Sequence, residues 1–92
     1  MALSDIKAKR LTTAASLAVG PARIRQVQVL VGAGGAGRLT ITDGSGGETL
    51  LDIDFAVSDS HSVNIPDNGI RAQSDVLVTA ATNLTALTIF YS

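Results

Sequence analysis

Gly32-Ala-Gly-Gly-Ala-Gly-Arg-Leu-Thr-Ile-Thr-Asp-Gly-Ser-Gly-Gly47 decides how this chain is read, and it holds seven of the nine glycines. As a string it matches two motifs. Gly32-x-Gly34-x-x-Gly37 is the dinucleotide fingerprint, and Asp43-Gly-Ser45-Gly-Gly47 looks like a serine-hydrolase loop. The fingerprint must open a helix, because the pyrophosphate sits on the helix N-terminus. Residues 38–43 cannot be that helix. Leu39 and Ile41 alternate with Arg38, Thr40 and Thr42, and the run stops at Gly44. The stretch is therefore two turns flanking one strand. A strand of that length spans ~20 Å, so the two glycine loops are expected at opposite poles, unable to form one site.

Working outward, period-two alternation dominates. Thr49, Leu51, Ile53, Phe55 and Val57 share one face, with Glu48, Asp52, Asp54 and Ser58 on the other and Leu50 and Ala56 as apolar exceptions. Val76, Val78 and Ala80 form a second apolar face, and Leu87, Ile89 and Tyr91 a third. Alternate positions 86, 88 and 90 in that last run are also largely apolar, which predicts a central strand or a subunit contact. From Arg23 to Val31 the parity breaks: Ile24 lies on one face and Val27, Val29 and Val31 on the other, so either a bulge sits near Gln26 or both faces are used. Val63 and Ile65 make a short strand before the turn Pro66-Asp-Asn-Gly69, and residues 70–72 another. Ser4-Asp5 has the chemistry of a helix cap, but the alternation of Lys7 and Lys9 with apolar residues favours a strand before Gly20-Pro21 breaks the chain. Seven to eight short strands with Gly, Pro and Asn between them predict an all-β fold, an antiparallel β-sandwich of jelly-roll type. Residues 1–92 form a single β domain, with 1–19 as a basic N-terminal arm or edge strand.

Composition narrows the function classes. Ninety-two residues without cysteine allow neither a disulfide nor a thiolate metal site, and one histidine is too few for a usual zinc site. Apolar residues make up 46% of a chain with only Phe55, Phe90 and Tyr91 as aromatics. That load, in so small a domain, predicts apolar surface buried between copies, hence a homo-oligomer. No apolar run reaches the ~20 residues of a membrane helix. The segment after Lys7, Lys9 and Arg10 is interrupted by Thr12, Thr13 and Ser16, too polar for a secretory leader.

Catalytic constellations do not assemble. Gly44-Ser45-Gly46 has only His61 as a base, and His61, between Ser60 and Ser62, is expected exposed at a strand entry. Asp52 and Asp54 lie ~6.5–7 Å apart on one strand face, a spacing a calcium ion could share, but no acidic loop accompanies them and a solvated face is expected. Asn83-Leu-Thr85 is a formal glycosylation site, relevant only in a secreted chain. No enzyme and no cofactor are expected.

Charge is the one asymmetry. Residues 1–38 hold Lys7, Lys9, Arg10, Arg23, Arg25 and Arg38 against Asp5, a balance of +5. Residues 39–92 hold Arg71 against Asp43, Glu48, Asp52, Asp54, Asp59, Asp67 and Asp75, a balance of −6. If early strands pair with late ones, opposite charges interleave across the sheets, and this is the first expectation. The alternative is a basic N-terminal segment docking on an acidic partner surface, that of a neighbouring subunit included. Nucleic acid is disfavoured, because no aromatics interleave with the basic residues.

Several segments together carry a resemblance: Gly20-Pro-Ala-Arg-Ile-Arg25, the hairpin from Arg38 to Asp54, Asn64-Ile-Pro-Asp-Asn-Gly-Ile70 and the closing Leu87-Thr-Ile-Phe-Tyr91. They resemble small single-domain β-sandwich virion proteins of marine and cyanobacterial bacteriophages, over most of residues 20–91. The resemblance implies a capsid decoration (cement) protein, made in the host cytoplasm and carried on the virion. Its implied partners are the major capsid protein and its own copies in a homotrimer, with no nucleic acid or membrane partner. The alternative it implies is a tail-associated receptor- or glycan-binding module. It supplies no catalytic residues. Lys7, Lys9 and Arg10 are the anchoring candidates.

Overall fold

The computed structural model describes residues 6–58, 60–65 and 69–92. The Ser4-Asp5 cap and most of the Pro66–Gly69 turn lie outside the described residues. Eight strands run β1 (Lys7–Leu11), β2 (Ala22–Val31), β3 (Gly37–Asp43), β4 (Thr49–Phe55), β5 (Ser60–Asn64), β6 (Ile70–Ala72), β7 (Val76–Thr82) and β8 (Leu84–Tyr91), with no helix among the described residues. Every pairing is antiparallel. The larger sheet has the order β1-β8-β2-β5, with β6 on the same edge of β2 as β5. The smaller has the order β4-β3-β7. Residues 15–17 extend the smaller sheet beyond β7: Ser16 bridges Leu77, the Leu17 N–H donates to Val76 O, and the Val78 N–H donates to Ala15 O. Four of the seven connections, β2–β3, β4–β5, β6–β7 and β7–β8, pass from one sheet to the other, and residues 15–17 make a further visit to the smaller sheet between β1 and β2, so the two sheets form a β-sandwich.

The core between the sheets is aliphatic. Ile24, Val27, Val29, Val31, Leu87 and Ile89 of the larger sheet meet Leu39, Ile41, Val76 and Val78 of the smaller, all buried. The parity break in β2 is a bulge: Ile24 opposes Tyr91 and Gln26 opposes Phe90, leaving Arg25 as the extra residue. The Ile65 N–H donates to the Arg25 carbonyl at 3.1 Å and so ties the extra residue to the β5–β6 connection. This bulge lets Ile24 and the three valines all face the core. β8, apolar on both faces, lies between β1 and β2 as a central strand.

Three expectations about facing change. Ala80 lies opposite Thr40, which alternates with the core residues Leu39 and Ile41, so Ala80 faces outward. A shift in register between Thr40 and Ile41 reverses the parity of β7 there, and Ala81 packs on the core instead. Val57 is 48% exposed, because β4 ends at Phe55 and Val57 lies in the turn that follows. Thr49 is exposed, beyond a register shift near Thr42. Leu17, in the segment weighed as a leader peptide, is a buried core residue at 1% exposure.

Candidate interaction surface

The two glycine loops differ in kind. Residues 32–36 turn the corner from the larger sheet into the smaller. Asn83, at positive φ in the one-residue turn between β7 and β8, organises that corner. Its carbonyl accepts the Gly32 N–H at 2.8 Å and its Nδ2 donates to Ala36 O at 3.0 Å. The Asn83 amide thus makes an intramolecular hydrogen bond at the exposed surface of this corner. Gly37 is the first residue of β3, buried against Val31 and Leu84, so no helix begins there. Residues 44–48 instead close the β3–β4 hairpin, where the Asp43 N–H donates to Glu48 O and the Gly44 N–H to Asp75 O. One loop packs at Asn83 and the other at Ser74–Asp75, which lie at opposite ends of β7. The separation at two poles is as the alternation of β3 requires.

The carboxylates of the second pole, and Asp52 in the middle of β4, are structural. Asp43 accepts the backbone N–H groups of Ser74 at 2.7 Å and Gln73 at 3.0 Å. Asp75 accepts from the Ser16 hydroxyl, from the Val19 N–H at 3.1 Å and from the Gly20 N–H at 3.2 Å. Asp52 receives Nε and a terminal nitrogen of Arg38 at 2.9 and 2.8 Å, plus the Thr40 hydroxyl at 3.1 Å. Arg38 thus occupies the carboxylate that a cation shared between Asp52 and Asp54 would need. Among the described residues no group of three or more His, Cys, Asp or Glu side chains could hold a metal ion.

His61 departs from expectation. It is half-buried within β5, opposite Val29 on the core-facing side, with its ring centroid 5.1 Å from that of Phe55. Ser45 is exposed in the hairpin loop of the other pole, so the two cannot act together.

Charge segregates by sheet rather than interleaving. Lys7, Lys9, Arg10, Arg23, Arg25 and Arg71 all belong to strands of the larger sheet, which contain no Asp or Glu. Asp43, Asp52 and Asp54 belong to the smaller sheet, with Arg38 as its one cation. Early strands do pair with late ones, but β8 and β5 are uncharged apart from His61, and β6 adds another arginine. None of the six cations has a carboxylate within ion-pair distance among the described residues.

The anchoring candidates are divided between two faces. Lys7, Lys9 and Leu11 oppose Tyr91, Ile89 and Leu87 and so point to the core side of β1, where both lysines remain exposed. Inward-pointing lysines on an edge strand discourage a foreign strand from adding there. Arg10 alone points outward. It joins Gln28, Leu30, Ser60, Ser62 and Thr88 around a shallow concavity of about 370 Å³ on the outer face of the larger sheet. Farther along the same sheet, a cleft of about 710 Å³ is lined by Ile6, Pro21, Arg23, Arg25, Arg71 and Ser92. Arg23 lies directly opposite Arg71, and the Arg25 Nε donates to the Ser92 hydroxyl at 2.9 Å. Sequence reasoning missed this cluster. Arg71 sits 46 residues from Arg25 in the acidic half, and only the β2–β6 pairing brings them together. No protein-family model, curated protein or solved structure matches this chain.

Proposed function

We propose that this chain is a non-enzymatic structural protein of a bacteriophage particle, a capsid decoration protein that docks on the shell through its larger sheet and associates with its own copies as a trimer. The observation that carries the reading is the charge segregation. One sheet presents cations with no carboxylate in ion-pair distance among the described residues, and such a surface suits an acidic protein face. Exposed apolar side chains, Ile6 at 47%, Leu30 at 47% and Val57 at 48%, support contacts between copies. Jelly rolls serve in capsids and in lectins alike, so the fold alone does not choose. A glycan-binding tail module is the weaker reading, because Phe55 is buried and Phe90 and Tyr91 are half-buried, leaving no exposed aromatic platform among the described residues.

The test is particle occupancy. Purified particles carrying the wild-type chain are compared with particles carrying Lys7→Glu, Lys9→Glu and Arg10→Glu together. Reduced copy number on the shell is expected, and unchanged stoichiometry would overturn the role of these residues. A reconstruction that finds the chain on the tail would overturn the decoration reading itself.

A further inference from the structure

We infer that the cleft formed by Arg23, Arg25 and Arg71 is a binding site for paired carboxylates on an extended acidic segment of a partner protein. Arg23 and Arg71 occupy directly opposite positions in the β2–β6 ladder. Like charges placed so are mutually destabilising. The β2 bulge adds Arg25 beside them, and the Ser92 hydroxyl fixes its Nε, leaving its two terminal nitrogens without a partner among the described residues. Three arginines therefore line one concave surface of about 710 Å³ with no carboxylate in ion-pair distance among the described residues.

The chemistry of the ligand follows from charge and shape. Guanidinium forks take planar oxyanions in bidentate fashion, and they are the side chains suited to desolvated pairs. A single carboxylate leaves a charge of +2 in the cleft, whereas two acidic side chains on one segment nearly neutralise it. A single-stranded nucleic acid is disfavoured because no aromatic ring among the described residues lines the cleft to stack a base. A strand presenting alternate acidic residues, spaced ~6.5–7 Å, matches the spread of three arginines over two ladder positions. The inference names the partner chemistry of the docking reading and rests on it. Its test uses the isolated protein, so its failure leaves particle occupancy to be decided separately.

The experiment is a titration of the purified full chain with a fluorescent, end-blocked tetraglutamate peptide. A tetraglutamine peptide and a short single-stranded oligonucleotide are titrated beside it. The acidic peptide is expected to bind, to weaken with added salt, and to lose about tenfold or more in affinity in Arg71→Gln and in Arg23→Gln. Arg71→Gln is also expected to raise the melting temperature of the unliganded protein by about 2–5 °C, because it relieves a like-charge pair. A merely structural arginine would lower it. Equal affinity for the two peptides, tighter binding of the oligonucleotide, or a melting temperature lowered by Arg71→Gln would each overturn the inference. So would an increase of tenfold or more in peptide affinity in Asp67→Asn, which would assign the cleft to a carboxylate of the chain itself.

Discussion

The Asp43 carboxylate accepts the Ser74 N–H at 2.7 Å, linking the end of β3 to the loop that enters β7. One residue further on, Asp75 does the same for the segment 16–20. Two acidic side chains thus hold three loops together at the pole where the β3–β4 hairpin turns. A domain with no cysteine and an aliphatic core fastens this end through charged hydrogen bonds.

Acid should loosen this pole and, along the smaller sheet, the Arg38–Asp52 pair. The hydrogen bonds from Ser74 and then Gln73 lower the pKa of Asp43, and the bond from Arg38 lowers that of Asp52. Burial opposes ionisation of Asp75, but bonds from Ser16, Val19, Val76 and Gly20 outweigh it and its pKa also lies below the ordinary value. Groups whose folded-state pKa is depressed contribute stability above their unfolded value, near 3.9, and lose it as pH falls through the folded one. The melting temperature should therefore be level from about pH 7 to 5 and fall below about pH 4. In Asp43→Asn/Asp75→Asn it should start lower and fall less. Parallel curves for the two proteins would contradict the assignment.

Asp75→Ala should cost about 2–3 kcal/mol in urea unfolding, since it leaves several donors of the 16–20 segment without their acceptor. Ser16→Ala removes one of those bonds and should cost about 1 kcal/mol. If the two variants are equally stable, the carboxylate does not organise the segment.

Ala18 holds a φ of +56° while exposed to solvent. An L-residue is strained there, and glycine is not. Ala18→Gly should stabilise the domain by about 0.5–1 kcal/mol, after allowing for the extra freedom glycine gives the unfolded chain. A loss of stability in chemical denaturation would show that the left-handed geometry is not kept in solution.

Neighbouring glycines of the hairpin should respond differently. A Cβ on Gly47 would overlap the Asp43 carbonyl, whereas one on Gly46 meets only open space. Gly47→Ala should cost about 2 kcal/mol or more through that overlap. Gly46→Ala carries only the strain of its φ of +75°, about 1 kcal/mol. Thermal unfolding that ranks the two in the opposite order would refute this turn geometry.

Alternation made the strands legible and left their partners open. Leu39, Ile41, Val27, Val29, Leu87 and Ile89 face the core as their spacing requires, and the parity break near Gln26 marked the β2 bulge. Ala80 gave no such sign: one inserted residue in β7 reverses facing without leaving a mark in composition. Leu17 was hidden because residues 15–17 pair too briefly to set up a pattern. The sorting of charge between sheets was invisible for a further reason. Period two says which face a residue takes, but the gathering of Arg23, Arg25 and Arg71 depends on which strand lies beside which.

The central place of β8 governs the order in which the protein can form. β1 and β2 do not pair with each other; each pairs with β8, which is made more than fifty residues after β2. During synthesis the first two strands must wait, unpaired on at least one edge, until Leu84–Tyr91 has left the ribosome. The β3–β4 hairpin can form locally long before then. Folding of the larger sheet is therefore a late, non-local event, and a chain stalled short of β8 exposes two strand edges at once.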